Sequence, residues 1–259
     1  MYKVAILVPA IRPQNWARLY DSCHGVDFEM IFVGPNDNPE VTSKPNVKFI
    51  FDMGNPARAM NIALIHSRAE YIHWEADDAH FLEGQPEQAL KEAEDVYATG
   101  DKVIVTSKYL EGPSTDGVAD SYYRIKNSIN CHGLYINPDN YILNTGFIHS
   151  RLVKDIGGWD GFHFHTMFFS HLDLACRLQN LGYKFVLSSQ PVAHCDHMPH
   201  ITGDHAPIHY AHIEHDEPNF KKMYGNPEVL ERTSIDIHNW RFAAAIWKRR
   251  YGNLLEAKD

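Results

Sequence analysis

The chain has 259 residues, 44% of them hydrophobic and 22% charged, with a formal net charge of -9. That balance describes a foldable globular chain rather than a disordered one, and it argues against generic, charge-driven nucleic-acid binding. No apolar run approaches the roughly 20 residues that a membrane-spanning helix needs, so a cytoplasmic protein with no membrane span is expected.

In chain order, Lys3 to Pro9 reads as a buried strand, followed by the breakers Arg12-Pro13 and a helix over residues 14–23. Glu29 to Val33 is a second strand, closed by the turn Gly34-Pro35-Asn36-Asp37. Val47 to Phe51 is a third. Asn55 caps a helix running to Arg68, with Pro56 at its first position, where a missing N–H costs nothing. Tyr71 to Glu75 is a fourth strand, residues 85–99 a helix and Lys102 to Ser107 a fifth strand. Residues 108–141, rich in Gly, Pro, Asn and Tyr, read as loops and short hairpins. Asn144 to His149 reads as a strand, Leu172 to Leu181 as an amphipathic helix stopped by Gly182, and Lys184 to Leu187 as the strand after it. A last helix is expected over residues 235–251. Strands alternating with helices predict an α/β protein with a mostly parallel sheet covered on both faces. No repeat or linker divides the chain. A single domain is expected, with a first half over 1–107, a second over 108–215 and a C-terminal tail over 216–259.

The fourth strand ends in Glu75-Ala76-Asp77-Asp78. Ligands of open α/β sheets bind at the carboxyl ends of strands. Three acids gathered there repel one another unless a cation neutralises them. Mn²⁺ and Mg²⁺ suit the place, since a hard ion takes one or two carboxylates together with substrate phosphates. The competing reading is that the acids cap the next helix or face solvent.

These residues, in this order, resemble family 2 of the GT-A glycosyltransferases. Val8-Pro9 is similar to the family's opening strand, Asp37 to its base-reading acid, and Arg58 and Asn61 to the basic residue and Asn of its third helix. Glu75-Ala76-Asp77 is similar to the DxD motif, with Glu in place of the first Asp. The resemblance extends to Gly157-Gly158-Trp159-Asp160 and to the helix carrying Asp173, Leu174, Arg177 and Leu178 before Gly182-Tyr183. It implies a GT-A fold and an inverting transfer from a nucleotide-diphosphate sugar, UDP first. It also implies donor contacts from Pro9, Asp37, Arg58, Asn61 and Glu75, and Mn²⁺ or Mg²⁺ on Asp77 and His194.

The sequence departs from the family where its Glu-Asp pair, the usual source of the catalytic base, aligns with Ser170-His171. An inverting transfer needs a base to take the acceptor proton. His171 or Asp173 is expected to serve, His171 with a pKa near neutrality; Asp173 could equally brace its helix.

Seven of the 17 histidines lie between His194 and His215. Their spacing of three, in His194, His197, His200 and again in His209, His212, His215, admits Zn²⁺ on a tight turn. Pro199, Gly203 and Pro207 favour a polar lid instead. Two further functions remain open from the sequence: a His-rich metal-dependent hydrolase or nucleotidyltransferase, and a nucleotide-sugar-binding module without turnover. The acceptor could be a glycan, a protein or a modified base such as one in phage DNA.

Overall fold

The computed structural model describes residues 1–111, 119–120, 143–195, 211–224 and 232–243. Two sheets organise them. The first has the order β3-β2-β1-β4-β8, from β1 (Val4–Pro9), β2 (Phe28–Gly34), β3 (Val47–Phe51), β4 (Tyr71–Trp74) and β8 (Ile148–His149). Its first four strands are parallel and β8 runs antiparallel to β4. The second sheet has the order β5-β9-β6-β7, from β5 (Ala79–Phe81), β6 (Val103–Glu111), β7 (Ala119–Asp120) and β9 (Lys184–Cys195). There β6 and β9 are parallel, and β5 and β7 antiparallel to their neighbours.

The parallel strands are buried on both faces, which is why they read as unbroken apolar runs. Val4 to Val8 and Met30 to Val33 are all 0% exposed. Helix α3 (Pro56–His66) packs with one core cluster, and α1 (Trp16–Ser22) and α4 (Gln85–Ala98) with another. Trp16 stacks on Phe32 at 4.1 Å, fixing α1 to β2. The start of α3 follows its sequence: Asn55 Oδ1 accepts from Arg58 N at 2.8 Å, with Pro56 in the first turn. Helices α2 (Pro39–Thr42), α5 (Ser150–Asp155), α6 (Met167–Asn180) and α7 (Glu217–Tyr224) complete the described elements, with a π-helical turn over His212–Asp216 leading into α7.

Strand order 3-2-1-4 reverses direction between β1 and β4. The loops leaving those two strands therefore diverge to opposite sides and open a crevice at the carboxyl edge, the usual ligand site of such sheets.

Three boundaries differ from the sequence reading. Helix α6 begins at Met167, five residues before Leu172, because Thr166 is held in trans by Asp216. Strand β9 runs on to Cys195, since its second half pairs with β5, a short strand that no periodicity announces. Only Ile148–His149 of the 144–149 run is strand; Asn144 O and Thr145 are engaged by Trp74 instead. At the C-terminus the described part of the expected 235–251 helix is a 3₁₀ helix over Ile237–Phe242, and residues 244–251 lie outside the described residues. Of the loop reading of 108–141, residues 112–118 and 121–141 lie outside them too. No described helix is long and apolar enough to cross a membrane.

Candidate active site

Trp74, the last residue of β4, hands the chain to Glu75, Asp77 and Asp78, which are 4%, 1% and 5% exposed. Asp77 ties the two diverging loops together. Its Oδ2 accepts from the backbone N–H groups of Ile11 (2.6 Å) and Arg12, and its Oδ1 accepts from Arg12 Nη1 at 2.6 Å. Arg12 Nη1 also lies 3.3 Å from Asp78 Oδ2, and Arg18 Nη2 donates to the Asp78 carbonyl at 2.7 Å. Burial raises the Asp77 carboxyl pKa and Arg12 pulls it back. Arg12 and Arg18 are absent from the sequence expectation; Arg12 lies beside Pro13, which reads simply as a breaker.

Glu75 is different. Its Oε1 is buried with no hydrogen-bond partner. Burial, with Asp78 nearby, pushes its pKa up to about 8. The neighbouring His73 is fully buried and its Nδ1 lies 3.7 Å from that oxygen. Burial holds the His73 pKa down to about 3, so the two face each other as neutral groups at pH 7. An unpaired polar atom in such a place costs on the order of 1–3 kcal/mol until something pairs with it.

His194 arrives on β9, opposite His80 in the β5 ladder, with the two rings 5.2 Å apart. The antiparallel pairing sets His194 three residues of β5 away from Asp77, and His194 is 4% exposed. Carboxylate and imidazole are ligand types that Mn²⁺ accepts. Asp77 and His194 are of the donor types such an ion takes, but neither belongs to a cluster of three or more ligand atoms among the described residues.

Pro9 ends β1 in register with Val33, and Asp37 lies exposed after the end of β2, accepting from Thr42 Oγ1 at 2.9 Å. Both stand at the carboxyl edge. Arg58 and Asn61 are engaged elsewhere. Arg58 forms a bidentate pair with Asp52 (2.8–3.0 Å), donates to Trp240 O at 3.2 Å and lies over the Trp240 ring. Its charge is thus already neutralised by a carboxylate at the end of β3. Asn61 is 0% exposed; its amide donates to Trp159 O and accepts from Trp159 N. In this structure the polar groups of both residues engage other protein atoms. Asn61 clasps the Gly-Gly-Trp turn instead. Gly158, at φ +71°, could not carry a Cβ there, since it would meet Asn61 Oδ1 at 2.1 Å.

The start of α6 separates the two candidate bases. Asp173 is 0% exposed. Its Oδ2 accepts from Arg177 Nε at 2.9 Å, and its Oδ1 from Tyr224 Oη and Arg232 Nη1. Arg177, also 0% exposed, donates onward to the carbonyls of Ile156 and Gly158, and Arg232 pairs with Asp160. Asp160 further accepts from His163, and these partners hold its carboxyl well below the usual range. This network of buried charges braces α6, α7 and the Gly-Gly-Trp turn. With its lone pairs filled and its carboxylate buried, Asp173 has the contacts of a residue that braces its helix, the alternative the sequence left open.

His171 lies 5% exposed, stacked on Trp74 at 5.7 Å, one residue from Glu75 in β4's direction. Its Nδ1 accepts from Trp159 Nε1–H at 3.2 Å. With Nδ1 occupied as an acceptor, the neutral ring carries its proton on Nε2. Burial lowers its pKa to about 3, which corrects the expected value near neutrality.

A parallel sheet with a β1/β4 switch point and an acidic β4 end is the architecture of a GT-A-type α/β fold. No family model matches the chain, and no curated protein is similar to it in sequence. Among solved structures it is similar to S. aureus TarS 1–349, at 13% identity over 96% of this chain and 72% of that one, with a TM-score of 0.53. The complex of TarS 1–349 with UDP gives 14%, 96%, 72% and 0.54. The complex with UDP-GlcNAc gives 14% identity and a TM-score of 0.51 over 76% of this chain and 59% of that one. At such identities the likeness establishes the shared fold.

Proposed function

We propose that this protein is a glycosyltransferase that takes a sugar from a nucleotide diphosphate, UDP first, and passes it to an acceptor hydroxyl with inversion. The observation that carries the reading is the β4 end, where Glu75 keeps a buried oxygen with no hydrogen-bond partner at the carboxyl edge of the sheet. A ribose hydroxyl donated to Glu75 Oε1 supplies the missing partner. Asp37, three residues beyond β2, would read the base. The likeness to a fold seen with UDP and with UDP-GlcNAc supports UDP as the nucleotide to try first.

Mn²⁺ or Mg²⁺, held by Asp77 and His194, would neutralise the charge on the leaving diphosphate. Arg12 lies against the same two aspartates and contributes fixed positive charge there. His171 would act as a neutral Nε2–H donor to the reacting groups, a role that its Trp159 bond and low pKa favour over proton abstraction, and the acceptor hydroxyl's proton would pass to solvent water as its oxygen bonds the sugar and the sugar–diphosphate bond breaks. The acceptor is a glycan, a protein or a modified nucleic-acid base, held by the second half of the chain.

The test is release of UDP from a panel of UDP-sugars, UDP-GlcNAc among them, with Mn²⁺ or EDTA. Metal-dependent hydrolysis by the wild type, lost in Glu75→Gln, supports the reading. UDP binding without turnover on any sugar would leave a binding module instead.

A further inference from the structure

Away from the β4 end, a second group of metal-type side chains closes over the start of α6. Among the described residues, His165, His215 and Asp216 form the single group of three or more His, Cys, Asp or Glu residues offering ligand atoms within 4.8 Å of one another. We propose that they bind a borderline divalent cation of the Zn²⁺ class, and that this ion clamps the His212–Asp216 turn onto the first turn of α6.

Asp216 is 0% exposed and aimed across the gap between the two segments. Its Oδ1 accepts from His165 N at 2.7 Å, and its Oδ2 from Thr166 N and Oγ1 at 2.7 Å each. Those three donors fix the carboxylate as outer-shell partners fix a metal-binding carboxylate. His215 Nδ1 lies 2.8 Å from Asp216 Oδ1. That contact is a hydrogen bond here, and an ion with Zn–N and Zn–O bonds of about 2.0–2.2 Å would take the place of the shared proton. The His165 ring stacks on the His215 ring at 3.6 Å and 8°. The third ligand is therefore in contact before any ion arrives, and a tilt of the His165 ring brings its nitrogen to the shared position. Asn219 Nδ2 hydrogen-bonds the His215 ring at 3.2 Å from Nε2 and 3.5 Å from Nδ1, a contact that metal binding would exchange for coordination.

The π-helical form of His212–Asp216 is part of the arrangement. A wide turn of this kind is costly, recurs at functional sites, and here lets two successive residues both address His165. Two imidazoles and one carboxylate suit Zn²⁺, Co²⁺ or Ni²⁺ better than Mg²⁺ or Ca²⁺, which prefer all-oxygen sites. The site lies beyond the α6 residues that face β4. It is a structural clasp, independent of the nucleotide reading.

The experiment uses the full 259-residue chain, stripped with a chelator and titrated with Zn²⁺ and with Co²⁺ in the absence of nucleotide. One tight site is expected. A d–d band should appear with Co²⁺, and Zn²⁺ should raise Tm by roughly 5 °C at saturation. His165→Ala/His215→Ala should weaken Zn²⁺ binding at least about tenfold and abolish the Tm rise. His215→Gln, a milder change at a half-exposed ring, should do the same if the double variant loses its fold. His197→Ala/His200→Ala/His209→Ala and Asp77→Asn should keep the site. Wild type with no Zn²⁺-dependent Tm rise, or a site lost in the His197/His200/His209 variant but kept in His165→Ala/His215→Ala, overturns the proposal.

Discussion

The β4 end and the α6 start are both rich in buried charge, yet they are built on opposite terms. Around α6, Asp160, Asp173, Arg177 and Arg232 pair with one another and with backbone carbonyls, and each carboxylate is filled with donors. At β4, Glu75 keeps an oxygen that nothing in the described protein partners. The first arrangement is closed and holds helices together. The second leaves one buried acceptor unmet. Buried charge alone therefore does not mark a ligand site.

The comparison breaks most visibly at Asp173. Asp173→Ala leaves Arg177 buried without its partner. Removing one member of such a pair costs about 3–5 kcal/mol, hence a Tm lower by roughly 6–20 °C for a chain of this size. Thermal denaturation checks it. A variant that keeps its Tm but loses turnover would return Asp173 to the site.

His171 sharpens the contrast on the same helix. His171→Ala should lower turnover by about 10²-fold if it removes a donor from the reacting groups. His171→Gln, which restores a donor, should recover part of that. With its pKa lowered to about 3 by burial, His171 stays neutral from pH 8 down to pH 5. The wild-type profile should show no acid limb from this ring in that range. A loss of turnover near pH 6.5 that disappears in His171→Gln would make it the base after all.

Glu75 should respond with the opposite sign to Asp173. Its folded pKa of about 8 lies above the ordinary carboxyl value of 4.5. Its favourable contribution is complete below about pH 4.5 and is lost as pH rises through 8. Glu75→Gln should therefore melt at least about 2 °C above wild type at pH 8.5 and close to it at pH 4.5, while losing nucleotide affinity. Equal melting at both pH values would mean that the carboxylate is not strained.

A further effect expected is an acid limb in stability. His73 and His171 both have folded pKa values lowered to about 3, so their contribution is full above about pH 6.5 and falls away as pH drops towards 3. Tm should decline over that window, and less in a His73→Gln variant that folds.

Much of this was legible in the sequence. The β3 strand, the Asn55 cap and the acidic β4 end all follow from local pattern, because apolar runs, a cap with Pro behind it and a charged strand terminus are chemistry of neighbouring residues. What escaped depends on partners far along the chain. Arg12 meets Asp77 across 65 residues, Asn61 meets Trp159 across 98, and Asp216 caps Thr166 from 50 residues away. Short β5 escaped because three residues carry no period, yet it sets His194 against His80. Arg58 resembles a donor-binding residue in sequence, and only the fold reveals Asp52 beside it.

The central claim, that the β4 end is a nucleotide-diphosphate site, is tested most directly by titrating UDP into wild type and Asp77→Asn, each with Mn²⁺ and with EDTA. The account predicts that Mn²⁺ strengthens UDP binding to the wild type by about tenfold or more, and that Asp77→Asn removes that gain while leaving the EDTA affinity nearly unchanged. UDP bound equally well with and without Mn²⁺ by both proteins would take Asp77 out of the ligand set, and no UDP binding by the wild type under any condition would contradict the site itself.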